Sequence, residues 1–129
     1  RDSILTYHQA GLQLAAIAQD YDYAFFEYWL TDIAGHRADL ASAVNLLENF
    51  DQVLTGLLAG WHTNQDLILI TSDHGNLEDL STRRHTPNLV PALLIGPASL
   101  RARFCASLTD LTGLLPATLQ FFPGKTAIY

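Results

Sequence analysis

This sequence predicts an α/β fold, three layers deep, with helices on both faces of a mainly parallel sheet. Three observations carry that prediction. Helical and strand-like segments alternate along the chain, two strand candidates are short unbroken apolar runs, and the informative strands lead directly into residues of metal-ligand type. The 129 residues suit a single domain spanning 1–129, and a hydrophobic content of 49% is enough to bury a core.

The first element is a helix from Ser3 to about Gln19. Ile4, Leu5, Leu12, Ala15 and Ala16 recur at helical spacing, with Asp2 or Ser3 as N-cap and His8 as a packed or partly exposed helix histidine. Tyr23 to Leu30 is dense in aromatics and too short for a confident helix, which suits a buried strand. From Arg37 to Trp61, the residues Leu40, Val44, Leu47, Phe50, Leu54, Leu57 and Trp61 stand three or four apart, as in a long core-facing helix. Asp66 to Ile70 and Val90 to Ile95 are continuous apolar runs bounded by turn residues, expected of central parallel strands covered on both faces. Ser99 to Phe122 reads as helix in two pieces broken by Ser107–Gly113, with Pro116 near the start of the second piece and Pro123–Gly124 ending it.

Composition narrows the function. A formal charge of −6, with seven scattered Lys and Arg, excludes a general electrostatic attraction to nucleic acid. No run of 18 apolar residues and no signal peptide occurs, so neither a membrane span nor export is expected and a cytoplasmic location is. The sequence opens at Arg1 and contains no methionine, so the natural N-terminus is expected upstream. Cys105 is the sole cysteine, which excludes an internal disulfide and a cysteine-built zinc site; it reads as a small buried apolar residue.

Ligands of open α/β sheets gather beyond the carboxyl ends of the strands. After Leu30 comes Thr31-Asp32-Ile33-Ala34-Gly35-His36, and after Ile70 comes Thr71-Ser72-Asp73-His74-Gly75. Asp32 and His36 are four apart, so on a helix both fall on one face and can chelate one ion; the same spacing also suits a carboxylate favoured at a helix start. Asp73 and His74 would diverge inside a strand, but Gly75 and Asn76 signal a turn in which they converge. A solvated turn explains that Asp and Gly without explaining the His. His85 lies in the polar loop from Asn76 to Asn88, and by itself is a loop histidine. Three separate segments that each offer His, with or without Asp, are how a site of nitrogen and oxygen donors is assembled from a sheet.

In combination, Thr-Ser-Asp-His-Gly-Asn-Leu-Glu at 71–78, Arg-His-Thr-Pro-Asn-Leu-Val-Pro at 84–91 and Asp-Ile-Ala-Gly-His at 32–36 resemble the cobalamin-independent (2,3-bisphosphoglycerate-independent) phosphoglycerate mutases, and more broadly the alkaline phosphatase superfamily. The resemblance runs from about Tyr23 to Gly96 in fixed order. It implies an alkaline phosphatase-like fold, present in part, and two divalent ions, Mn or Zn. Asp32, His36 and His85 would bind one ion, and Asp73 and His74 the other. Paired ions of this kind stand about 3.5–4 Å apart and stabilise the attacking and leaving oxygens of an in-line displacement. The family pattern also needs a further Asp and a Ser or Thr nucleophile, both upstream of this sequence, so no catalytic nucleophile is expected within it. Ser72, beside the second ion's ligands, is read as structural. Arg83 and Arg84 either grip an anionic substrate or are solvated. Glu78 either supports a ligand or is an exposed loop carboxylate.

The function these residues imply is the C-terminal metal-binding portion of a phosphomutase or phosphatase acting on a small phosphorylated substrate. Hydrolysis of phosphodiesters, phosphonates or sulfate esters is the alternative within the superfamily. A non-catalytic α/β binding or assembly module is the alternative outside it. A missing N-terminal half, a partner chain or a second copy would be needed to cover the sheet edge that an isolated half exposes.

Overall fold

Helix α1, Tyr7–Ala18, starts at Thr6, whose hydroxyl accepts from the backbone N–H of Gln9 at 3.2 Å while the Gln9 side chain accepts from the N–H of Thr6 at 2.9 Å. This reciprocal capping box places the start later than the cap expected at Asp2 or Ser3. The computed structural model describes residues 4–106 and 108–122, so Asp2, Ser3, Ser107 and the expected terminator Pro123–Gly124 lie outside the described residues.

The chain divides into two compact units, Arg1–His62 with His74–Pro91, and Thr63–Asp73 with Ala92–Tyr129. The first is built on α1 and α3, Leu40–Gly60. Their contact is made by small residues. Gly11 lies against the backbone of Val53 to Leu57, and Gly56 against that of His8 to Leu12, so each helix backbone enters the other's surface where a Cβ is missing. Ala15 and Ala18 continue the buried stripe of α1, and the Gln19 side chain donates to the Gly60 carbonyl at 2.6 Å. The expected stripe of Ile4, Leu5 and Leu12 is therefore largely exposed, as are Leu40, Val44 and Leu47 in the first half of α3.

Tyr23 to Leu30 is not a strand. Residues 24–28 have no regular structure, because a strand needs a hydrogen-bonded neighbour and none of the described strands pairs with it. Tyr28 instead stacks on Phe50 of α3, with ring centroids 5.1 Å apart. Helix α2, Leu30–Arg37, follows and ends at Ala38 in the left-handed conformation (φ 56°). Asp39 then caps α3, its carboxylate accepting from the N–H groups of Ala41 and Ser42 at 3.3 Å. The single helix expected from Arg37 thus begins two residues past a break.

In the second unit β1, Ile68–Thr71, and β2, Ala92–Ile95, form a two-stranded sheet. The pair is antiparallel, with Ile68 opposite Ile95 and Thr71 opposite Ala92, which corrects the expected parallel arrangement of these two strands. Parallel neighbours need a crossover that carries the chain back to its starting end, and the connection 72–91 contains no helix to do so. What the described residues establish is a mixed helix and strand architecture.

Helix α4, Ala98–Cys105, a 3-10 turn at Leu111–Gly113 and helix α5, Leu114–Leu119, follow the two-piece reading closely. Asp110 caps the turn by accepting from Thr112 N–H at 2.8 Å. Phe104 and Ala117 are buried, and the Arg103 guanidinium lies 4.6 Å over the Phe121 ring. Cys105 is exposed, contrary to its expected burial; it is the last residue of α4, whose buried residue is its neighbour Phe104.

Candidate metal centre

Asp32 and His36 lie one turn apart on α2, and this spacing brings His36 Nε2 to 3.4 Å from Asp32 Oδ1. His85 comes from the loop between residues 74 and 91. Its Nε2 stands 3.2 Å from Asp32 Oδ1 and 3.2 Å from His36 Nε2. The three donors form a cluster whose ligand atoms all lie within 4.8 Å of one another. His74 adjoins it, with Nε2 4.0 Å from Asp32 Oδ1 and its ring stacked on that of His85, centroids 3.6 Å apart. Asp73, the fifth expected ligand, is an exposed residue of the other compact unit, two positions past β1.

The loop is held by its own polar residues. Thr86 N–H donates to the Gly75 carbonyl at 2.9 Å, closing an isolated antiparallel bridge. Glu78 accepts from the Thr86 hydroxyl, from Asn88 Nδ2 at 2.9 Å and from Asn76 N–H at 2.6 Å. These bonds, the Thr86 hydroxyl first, depress the Glu78 carboxyl to about 2. Gly75 is required at the bridge, since a Cβ there would meet the Glu78 carboxylate and the Thr86 hydroxyl. Glu78 therefore braces the loop that carries His85.

Electrostatics match the geometry. Partial desolvation acts to raise the Asp32 pKa, but the hydrogen bond from Asn76 and the imidazoles of His36, His85 and His74 outweigh it and lower the net value. The tautomer of His36 is also set. Its Nδ1 lies 2.8 Å from the Arg83 carbonyl, which only accepts, so Nδ1 carries a proton, and in the neutral ring this leaves the Nε2 lone pair facing Asp32 and His85.

These positions fit a bound cation. Donors about 2.0–2.2 Å from one tetrahedral ion stand about 3.3–3.6 Å apart, close to the three separations seen here. Two imidazole nitrogens and a carboxylate oxygen suit Zn, Mn or Fe better than Mg. The cavity bordered by Leu30, Ile33, Arg37, Leu46 and Asn49 contains none of these donors.

The sequence assigned Asp32, His36 and His85 to one ion and Asp73 with His74 to a second; the structure brings the first three together and sets His74 beside them. Sequence reasoning passed over Asn76, read only as a turn residue, although a polar side chain immediately after a candidate ligand and glycine was a signal for a supporting contact. It could not have found the Arg83 carbonyl, because every residue has one.

Comparison with known proteins points the same way. The sequence profile of the Metalloenzyme superfamily matches residues 9–122. A 2,3-bisphosphoglycerate-independent phosphoglycerate mutase of Ruegeria sp. (strain TM1040) is 34% identical over 111 residues, covering 81% of this chain and 22% of the relative. The enzyme of the same name from Cereibacter sphaeroides (strain ATCC 17029 / ATH 2.4.9) is 32% identical over 113 residues, with the same coverage of each. That of Moorella thermoacetica is 31% identical over 81 residues, 58% of this chain and 16% of the relative. This chain thus spans about a fifth of the length of the curated relatives it matches. No solved structure matches it.

Proposed function

This chain belongs to the Metalloenzyme superfamily, and on that premise we propose that it is the metal-binding portion of a two-metal phosphotransfer enzyme, a phosphomutase or phosphatase of small phosphate esters. The observation that supports this reading best is the set of mutual separations, 3.2 to 3.4 Å, among Asp32 Oδ1, His36 Nε2 and His85 Nε2. In this reading those three residues hold one divalent ion, Mn or Zn, and Asp73 with His74 hold a second. Bound ions of this kind supply electrostatic stabilisation of the transferred phosphoryl group and a nucleophile active at neutral pH.

The chain's own residues supply orientation. The Arg83 carbonyl holds the His36 ring with its Nε2 lone pair inward, and Glu78 fixes the loop that delivers His85. The remaining Asp ligand and a Ser or Thr nucleophile are assigned to polypeptide outside this chain. The wider three-layer sheet belongs to the same proposal, with β1 and β2 supplying two of its strands. The names of the relatives favour a phosphomonoester over a diester, phosphonate or sulfate ester.

The test is zinc and manganese affinity of the full-length protein, measured by competition with a chromogenic chelator. His36→Ala and His85→Ala are each expected to weaken one site by about 100-fold or more, beyond the range for residues that merely support a ligand. Unchanged affinity in both variants would leave a non-catalytic module as the better reading.

A further inference from the structure

We infer that Asn76 is a positioning residue of the metal centre, a role that rests on Asp32, His36 and His85 being its ligands. Asn76 is 4% exposed and is the only buried polar or charged side chain among the described residues. A buried amide is costly unless its hydrogen bonds repay the lost water. Here the Nδ2 half is paired, donating to Asp32 Oδ1 at 2.6 Å and to the Asp32 carbonyl at 3.2 Å, while the buried Oδ1 has no hydrogen-bond partner, so the two bonds to Asp32 are what hold the amide in place. Both partners only accept, so the nitrogen and not the oxygen of the amide must face them.

Two bonds to one residue fix both the carboxylate and the helix backbone that carries it. Asp32 Oδ1 is also the oxygen that faces both imidazoles. An oxygen that accepts from Asn76 on one side keeps its remaining lone-pair direction toward His36 and His85. The seat for the amide is cut by Gly35, three residues after Asp32, since a Cβ there would overlap the Asn76 side chain. On the other side, the backbone N–H of Asn76 donates to Glu78, which binds Thr86 beside His85. Asn76 therefore joins the helix bearing two ligands to the loop bearing the third, and holds the donors at ion-binding separations. Pre-formed ligands lose less conformational freedom on binding, which is the source of the affinity gain.

The experiment compares Asn76→Leu, Asn76→Ala and Asp32→Ala in the full-length protein, reading zinc affinity by chelator competition and the melting temperature of the metal-free protein. Leu fills nearly the volume of Asn but donates nothing. Both Asn76 variants should bind zinc about 10- to 100-fold more weakly than wild type, with metal-free Asn76→Leu melting close to wild type. An Asn76→Leu protein that binds zinc as wild type does would mean the side chain only fills space, and the inference is overturned. Wild-type affinity in Asp32→Ala would instead remove the ligand assignment itself, and the positioning role with it. If neither Asn76 variant folds, proton exchange of the Asn76 side-chain amide in metal-free wild type decides. Slow exchange that becomes fast in Asp32→Ala supports the bond, and exchange at the rate of a free amide overturns it.

Discussion

Glu78 shows how one carboxylate can organise a segment without being buried. Its folded pKa of about 2 lies below the ordinary value of 4.5 because the hydrogen bonds from Thr86, Asn88 and Asn76 favour the ionised form. A carboxylate with a depressed folded pKa adds stability that is complete above the unfolded value and is lost as the pH falls through the folded one. The brace on the loop is thus intact at pH 5 and above, and fails between about pH 4.5 and 2. Carboxyl carbon NMR should place the Glu78 midpoint near 2, and Thr86→Val should move it up toward the ordinary range, since the Thr86 hydroxyl is the leading cause. A midpoint in the ordinary range for the unaltered protein would contradict the brace. At the same scale, the residue types of the site were readable from the sequence, whereas their support was not. Asn76 and the Arg83 carbonyl act through contacts that join residues more than forty positions apart.

Among the elements, α1 and α3 meet where glycine permits it. Replacing a mid-helix glycine by alanine ordinarily favours a helix by about 1 kcal/mol. At Gly56 the added methyl would press on the His8 carbonyl of the neighbouring helix, which only a backbone shift can relieve. Overpacking of this kind costs about 1–3 kcal/mol and outweighs the propensity gain. Gly56→Ala should therefore lower the melting temperature, while Gly60→Ala, whose methyl meets the Ala15 side chain at 3.0 Å, should cost less. Equal melting temperatures for the two would argue that the helices do not cross at Gly56. Periodicity located both helices and placed Ala15 on the buried face, but it overrated Leu12, Leu40 and Val44 and passed over Gly11 and Gly56, because hydropathy weighs large apolar residues heavily and glycine hardly at all. Close backbone approach rewards the smallest residue rather than the most apolar one.

For the molecule as a whole, the surface is rich in apolar groups. Phe25 is 76% exposed, Trp29 68% and Phe26 58%, and no large side chain is fully buried among the described residues. The two-stranded sheet also keeps one side of each strand unpaired among the described residues. Exposed aromatics clustered within a few residues of one another mark a surface meant to be covered. The 129-residue chain produced alone should therefore self-associate, with a mass by light scattering that rises with concentration, and Phe25→Ser combined with Trp29→Ser should shift it toward monomer. A chain that stays monomeric throughout would show that this surface needs no cover.

The sequence by itself determined which His and Asp residues the candidate site draws on, the order in which they occur, the positions of α1, α3 and the two strands, and the two-piece ending through α4 and α5. Those properties are local: they depend on spacing of three or four residues, on short apolar runs and on turn residues. Tertiary structure alone decided that β1 and β2 pair antiparallel, that Tyr23 to Leu30 stays without a strand partner, and that Asn76 meets Asp32 and the Arg83 carbonyl meets His36. A strand's direction depends on its neighbour, and a hydrogen bond depends on where a distant segment lies. Neither is a property of the residues taken in order.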